Sequence, residues 1–171
     1  MLKPEKILEE LDLKKNMVAA EFGCGSGFFA IALAKKLEDG LVYAIDVQQG
    51  PLSALSGAAA SEGVKNIRII RSDLEKSKGS TLSDSSLDLV LIPNILFQVE
   101  DKKAVISEAN RVLKRGGKLL IIDWLPEKEG VPVKGRVSPE AIKNIAKEIG
   151  FELKKEFQPG PFHYGLIFEK P

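Results

Sequence analysis

Apolar residues along the chain switch between two spacings, one suited to helices and the other to buried strands. Near the start, Ile7, Leu8 and Leu11 recur at helical spacing and predict an amphipathic helix over 4–13. Met17 to Phe22 reads as a short buried strand that ends in glycines. From Ser26 the set Phe28, Phe29, Ala32, Leu33 and Leu37 is helical, with Gly40 as its expected C′ stop. Leu41 to Val47 and Ile67 to Ile70 predict the second and third strands, each followed by an aspartate or ending in one. Between them 51–62 is Ala-rich and expected to be helical despite Pro51 and Gly57.

The stretch 76–86 has no period and reads as a surface loop. Leu87 to Ile92 is an apolar run broken only by Asp88, the pattern of a central parallel strand covered on both faces. Asp101 opens a helix with Val105, Ile106, Ala109, Val112 and Leu113 on one side, expected to stop at Gly116-Gly117. Lys118 to Trp124 is the fifth strand, and a Gly/Pro loop runs from Leu125 to Val137. Ser138-Pro139 marks a helix start by its cap and N1 proline, with Ile142, Ile145, Ala146 and Ile149 as the buried stripe up to Gly150. Phe151 to Phe157 and Phe162 to Phe168 flank Gln158-Pro159-Gly160-Pro161 as a hairpin.

Strands alternating with helices imply right-handed crossovers. The expected fold class is therefore α/β: an open, doubly wound, mostly parallel seven-stranded sheet with helices on both faces and an antiparallel last strand. No repeat or linker divides the chain, so one domain is expected over 1–171, with an N-terminal helical segment (1–16) and an α/β core (17–171).

Composition narrows the partners more than the fold. The 25 basic and 24 acidic residues nearly cancel, and the lysine pairs lie scattered among acids. Without a basic block to release counterions, a nucleic-acid partner is disfavoured. The single cysteine, Cys24, excludes an intramolecular disulfide and fits a reducing compartment. The charged N-terminus lacks the apolar run of a signal peptide, and no stretch is apolar for a bilayer's thickness. The expectation is a cytoplasmic protein with no membrane partner.

The chemistry gathers where the first strand runs straight into a helix, at Glu21-Phe22-Gly23-Cys24-Gly25-Ser26-Gly27. Glycines let the backbone turn sharply and let a ligand approach the main chain, and the helix start offers free N–H groups. Asp46 ends the second strand and Asp73 follows the third. In an open sheet a ligand binds beyond the strand C-termini, where such acids can meet its hydroxyl and amino groups. A bare strand-to-helix turn and solvated helix caps are the ligand-free alternatives.

Taken together, the segments resemble class I S-adenosylmethionine (SAM)-dependent methyltransferases. The glycine turn resembles the family's D/E-x-G-x-G-x-G motif, and Asp46 its acid after strand two. Arg71-Ser72-Asp73-Leu74 is similar to the adenine-side segment, and Leu87-Asp88-Leu89-Val90-Leu91-Ile92-Pro93-Asn94 to the fourth-strand motif. The stretch Ala109 to Leu119 is similar to the family's helix-turn-strand segment, with Arg115 where a proline is usual. This resemblance implies SAM as cofactor. It puts Glu21 near the methionine end, with Gly23, Gly25 and Gly27 lining it. Asp46 would hold the ribose, Val47 would pack on the adenine, and Asp73 with the Leu74 amide would meet its polar edge. Asn94 would lie near the sulfonium. Residues 48–57 are unusually rich in Gly, Ser and Pro for the helix after the ribose acid. The segment before the motif is also short for the lid that many members close over small acceptors.

A sulfonium already activates its methyl group, so the protein has mainly to orient a nucleophile and exclude water. His163, the only histidine, is the candidate base, and strand alternation sends it and Tyr164 to opposite faces. Trp124, Arg136 and Tyr164 are further candidates for the acceptor side. A packed histidine, a rim tryptophan and a solvated arginine are the plain alternatives. Cys24 reads as a small filler, and no Cys/His spacing suggests a metal. Ile-Pro-Asn at the end of strand four differs from the Asn/Asp-Pro-Pro-aromatic signature of enzymes that methylate bases or glutamine, which leaves a small-molecule acceptor favoured. Two other functions stay open: a NAD-binding oxidoreductase domain, since Gly25 to Ala30 satisfies G-x-G-x-x-A, and a SAM-binding module without transfer activity.

Overall fold

Among the described residues, seven strands form one sheet in the order β3-β2-β1-β4-β5-β7-β6. They are β1 (Val18–Phe22), β2 (Leu41–Asp46), β3 (Ile67–Arg71), β4 (Leu87–Pro93), β5 (Leu113–Trp124), β6 (Glu152–Gly160) and β7 (His163–Glu169). The helices are α1 (Pro4–Leu8), α2 (Phe28–Lys36), α3 (Gln49–Ser61), α4 (Lys102–Val112) and α5 (Pro139–Ile149). The structure is a computed structural model describing residues 1–127 and 134–171; the centre of the loop expected over 125–137 lies outside the described residues.

Pairing is parallel from β3 to β5 and antiparallel on both sides of β7, as the hairpin required. Alternation along the strands builds two cores. In β4, Leu89 and Leu91 join the core under α1, α2 and α3, whereas Val90 and Ile92 join the core under α4 and α5. Both faces of β4 are therefore buried, which is why its sequence reads as a continuous apolar run. Its one polar residue, Asp88, takes the Val18 amide at 2.8 Å and the Lys114 ammonium at 2.9 Å at the strand's start. Because β1 lies between β2 and β4, the winding direction reverses beside it, and the crevice opens at that switch point. No helix among the described residues is long and apolar enough to cross a membrane.

Local caps behave as the sequence suggests. Asp101 accepts from the Ala104 amide at 2.8 Å, Ser138 from Ala141 at 3.1 Å, and Gly150 ends α5 at φ +111°.

Other boundaries move for tertiary reasons. The first helix is only Pro4–Leu8, not 4–13. Helix α2 ends at Lys36, so Gly40 is not its C′ residue. A Cβ at Gly40 would lie 2.0 Å from the Met17 carbonyl oxygen, and that close approach explains the glycine. Helix α4 ends at Val112, before Gly116-Gly117. Those glycines belong to an irregular start of β5, where Gly116, at φ +79°, donates its amide to the Lys170 carbonyl and the Gly117 carbonyl accepts the Lys170 amide. The hairpin turns at Pro161-Phe162, because Gly160 already pairs with His163. The 76–86 loop is not wholly superficial: fully buried Ser80 gives its amide and hydroxyl to Glu108, which is also paired with Arg111.

The glycine-rich segment after β2 does form helix α3, because Leu52, Leu55 and Ala59 are buried and Pro51 sits in the first turn, where its missing N–H costs nothing. Gly57 is exposed in mid-helix and a Cβ there would meet nothing within 4 Å. Gly57→Ala is therefore expected to stabilise the protein by about 0.5–1 kcal/mol. An unchanged or lower midpoint in urea denaturation would contradict this.

Candidate active site

The turn from β1 into α2 is built by three left-handed glycines, Gly23 (φ +74°), Gly25 (φ +51°) and Gly27 (φ +92°). The Gly23 and Cys24 amides both donate to the Ile45 carbonyl, at 2.8 and 3.0 Å, tying the turn to β2. A Cβ on Gly27 would lie 2.1 Å from Leu55 Cδ1, so this position keeps α3 packed against the turn. Asp46 completes the tie. Its Oδ2 accepts from the Gly25 amide at 2.9 Å and its Oδ1 from the Gln48 amide at 3.0 Å. Each carboxylate oxygen still has a lone pair directed elsewhere.

A cavity of about 750 Å³ opens beside this turn, across the ends of β1, β2, β4 and β5 and the start of β7. Of the residues expected to bind the cofactor, Glu21, Gly23, Gly25 and Asp46 line it, as do Val47, Asp73, Leu74 and Asn94. Gly27 stands behind the wall. On the acceptor side, Trp124 and His163 line the cavity, while Tyr164 points to the opposite face and donates to the Val137 carbonyl at 3.0 Å. Arg136 is not part of the wall, and its guanidinium donates to the Pro126 carbonyl at 2.7 Å.

Four of the lining residues carry a buried polar atom without a hydrogen-bond partner: Glu21 Oε2, Asn94 Oδ1, Trp124 Nε1 and His163 Nε2. Each such atom costs on the order of 1–3 kcal/mol unless something satisfies it. Glu21 is 2% exposed, and burial pushes its carboxyl well above the usual range, with the Asp46 charge adding and the Ala30 amide of α2 opposing. A cation beside it would be strongly favoured. Burial also lowers His163 to about 4, helped by the chain's amino-terminal charge, so its imidazole is neutral near pH 7. Its ring lies on Trp124, with centroids 4.0 Å apart and planes at 36°. The Cys24 thiol is pushed up by burial and by Glu21 and Asp46, so it stays protonated, as a filler should.

Some residues escaped sequence reasoning. Asp123 is fully buried on the α4/α5 face, where Oδ1 accepts from its neighbour Trp124's amide at 2.8 Å. Its Oδ2 makes no hydrogen bond of good geometry, though the Leu96 and Phe97 amides lie close enough to lower its pKa. Burial outweighs them and lifts this carboxyl to about 6. Its one sequence signal is a lone acid inside an apolar strand. Ile95, Gln98 and Val99, in the segment after β4, also face the cavity and carry no motif. Asn94 sits at φ +55°, a conformation Asn tolerates better than most residues, and this turns the chain from β4 across the cavity.

This arrangement suits SAM. The orphaned Glu21 oxygen can meet an ammonium, Asp46 a ribose diol and Asp73 an amino group. The glycine turn lets the ligand lie against the main chain.

Comparison with known proteins agrees. A family model described as "Methyltransferase domain" matches residues 13–158. The demethylmenaquinone methyltransferase of Staphylococcus aureus (strain MRSA252) is 28% identical over 120 residues, covering 70% of this chain and 48% of that protein. The chain thus spans about half the length of the curated relatives it matches. A SAM-dependent methyltransferase from Aquifex aeolicus superposes with a TM-score of 0.90 at 28% identity, covering 99% of this chain and 90% of the other. A putative type 11 methyltransferase from Sulfolobus solfataricus gives 0.75 at 28% identity, covering 99% and 92%. The match over most of the chain and the glycine turn, strand-end acids and sheet order lead to one conclusion: this chain belongs to the class I SAM-dependent methyltransferase family.

Proposed function

We propose that the chain moves a methyl group from SAM to a small-molecule acceptor that enters beside Trp124 and His163. The observation that carries this is the cavity wall. Glycine turn, Asp46 and Asp73 lie along one part of it, and the unsatisfied atoms of Asn94, Trp124 and His163 lie along another. Asp46 holds the ribose hydroxyls through its free lone pairs, and Val47 covers the adenine. Asp73 and the Leu74 amide read the adenine's polar edge, and Glu21 faces the methionine ammonium. Gly23, Gly25 and Gly27 keep the main chain within reach.

SAM supplies a methyl group already activated by a sulfonium. The protein's own part is to align the acceptor from the Asn94, Trp124 and His163 side and to exclude water. His163 is neutral at working pH and so available to take a proton.

A small-molecule acceptor is in keeping with the demethylmenaquinone named for the Staphylococcus relative, and the scattered charge disfavours nucleic acid. One reduced cysteine fits a cytoplasmic setting. The whole chain then acts as one catalytic unit.

Calorimetry tests the cofactor: SAM and its demethylated product should bind, and NAD should not. Tight NAD binding without SAM binding would overturn the proposal. A screen of cell extract with methyl-labelled SAM tests transfer; binding without any labelled product would favour a SAM-binding module instead.

A further inference from the structure

In the antiparallel pair β5/β7, Trp124 stands directly opposite His163, so both side chains leave the sheet on the same face. Their stacked rings close the cavity's β7 end, and neither Trp124 Nε1 nor His163 Nε2 has a partner. Trp124 Nε1 can only donate, whereas a neutral imidazole offers one lone pair and one N–H. The pair together therefore offers a donor and an acceptor to a single ligand group, and a hydroxyl fits both. Leu2, Ile95 and Val99 make the surrounding wall apolar.

Charge weighs against another class. Among the described residues that line the cavity there is no Lys or Arg, while Glu21, Asp46, Asp73 and Glu75 supply four carboxyl groups. A carboxylate or phosphate on the acceptor would meet those four carboxyl groups and no cationic side chain among the described lining residues, with the chain's amino terminus as the one positive group near His163.

We infer that the acceptor is an uncharged, largely apolar molecule bearing a hydroxyl group, which Trp124 Nε1–H and the His163 Nε2 lone pair hold for methylation on oxygen. This rests on the methyl-transfer reading above. As the acceptor oxygen bonds to the methyl carbon, the carbon–sulfur electron pair stays on sulfur. The acceptor's O–H bond breaks and its proton passes to His163 Nε2, so the positive charge moves from sulfur to the imidazole and then to solvent. A weak base suffices, because an oxygen receiving a methyl group becomes strongly acidic.

The chain has one tryptophan and one histidine, so the indole N–H and imidazole NMR signals each report a single residue. The probes are 2-naphthol, 2-methoxynaphthalene and 2-naphthoate, added to protein saturated with the demethylated cofactor product. Expected is that 2-naphthol shifts both signals, while the ether and the anion bind at least tenfold more weakly. Trp124→Phe and His163→Gln should each weaken 2-naphthol binding at least fivefold with SAM affinity unchanged, which also shows that the variants fold. With SAM present, mass spectrometry should detect 2-methoxynaphthalene. The inference is overturned if SAM binds but 2-naphthol moves neither signal, or if 2-naphthoate binds as tightly. Failure of SAM itself to bind would overturn the methyl-transfer reading as well, and is a separate result.

Discussion

Asp46→Ala is expected to weaken SAM binding at least tenfold while the protein stays folded. The carboxylate already accepts the Gly25 and Gln48 amides, so its two oxygens are held in place before a ligand arrives. Ribose hydroxyls then add to an oriented anion, and hydrogen bonds to charged groups contribute about 1.5–3 kcal/mol each. Even one such bond at the low end is about a tenfold change in affinity. The substitution also frees the turn's Gly25 amide, which adds to the loss. Asp46 lies at a strand end and is half-exposed, outside both cores, so secondary structure by circular dichroism should not change. A folded Asp46→Ala protein with native SAM affinity would remove Asp46 from the ribose role.

The second large effect concerns stability against pH. Asp123 titrates near 3.8 when unfolded, and burial raises it to about 6 in the fold. Between those values the folded state holds the proton more tightly than the unfolded one. Stability from this group is full below about pH 4 and is lost as pH rises through 6. A gap of about two pKa units is on the order of 3 kcal/mol. Asp123→Asn cannot ionise and so lacks this loss, whatever fixed offset the amide introduces. Urea denaturation of both proteins from pH 4 to 7.5 should show the variant gaining about 2–3 kcal/mol relative to wild type across that range. Comparing the two cancels the buried Glu21, which is also raised, and the paired Glu108 and Glu169, which are lowered. Parallel curves would mean that Asp123 is not titrating in this window.

Much of this protein was legible along the chain. The strands were visible because β4 and β5 are buried on both faces, and the helices because each buries one stripe. Asp101, Ser138 and Gly150 were readable because a cap acts within its own turn. The opposite directions of His163 and Tyr164 followed from alternation alone. Where reading failed, a distant partner was responsible. Gly40 looked like a helix stop but answers to the Met17 carbonyl, and Gly116-Gly117 belong to a strand irregularity held by Lys170. Asp123 gave no sign of how deeply the α4/α5 core covers it.

The sequence by itself determined the order and kind of the elements, the glycine turn and the acids at the strand ends, since these depend on periodicity and on the conformations each residue allows. Only the tertiary structure decided what those residues meet. That Asp46 ties the turn, that Trp124 covers His163, and that four polar atoms around one cavity lack partners depend on strand order and register. Those are set by packing between residues far apart in the chain, and no local pattern encodes them.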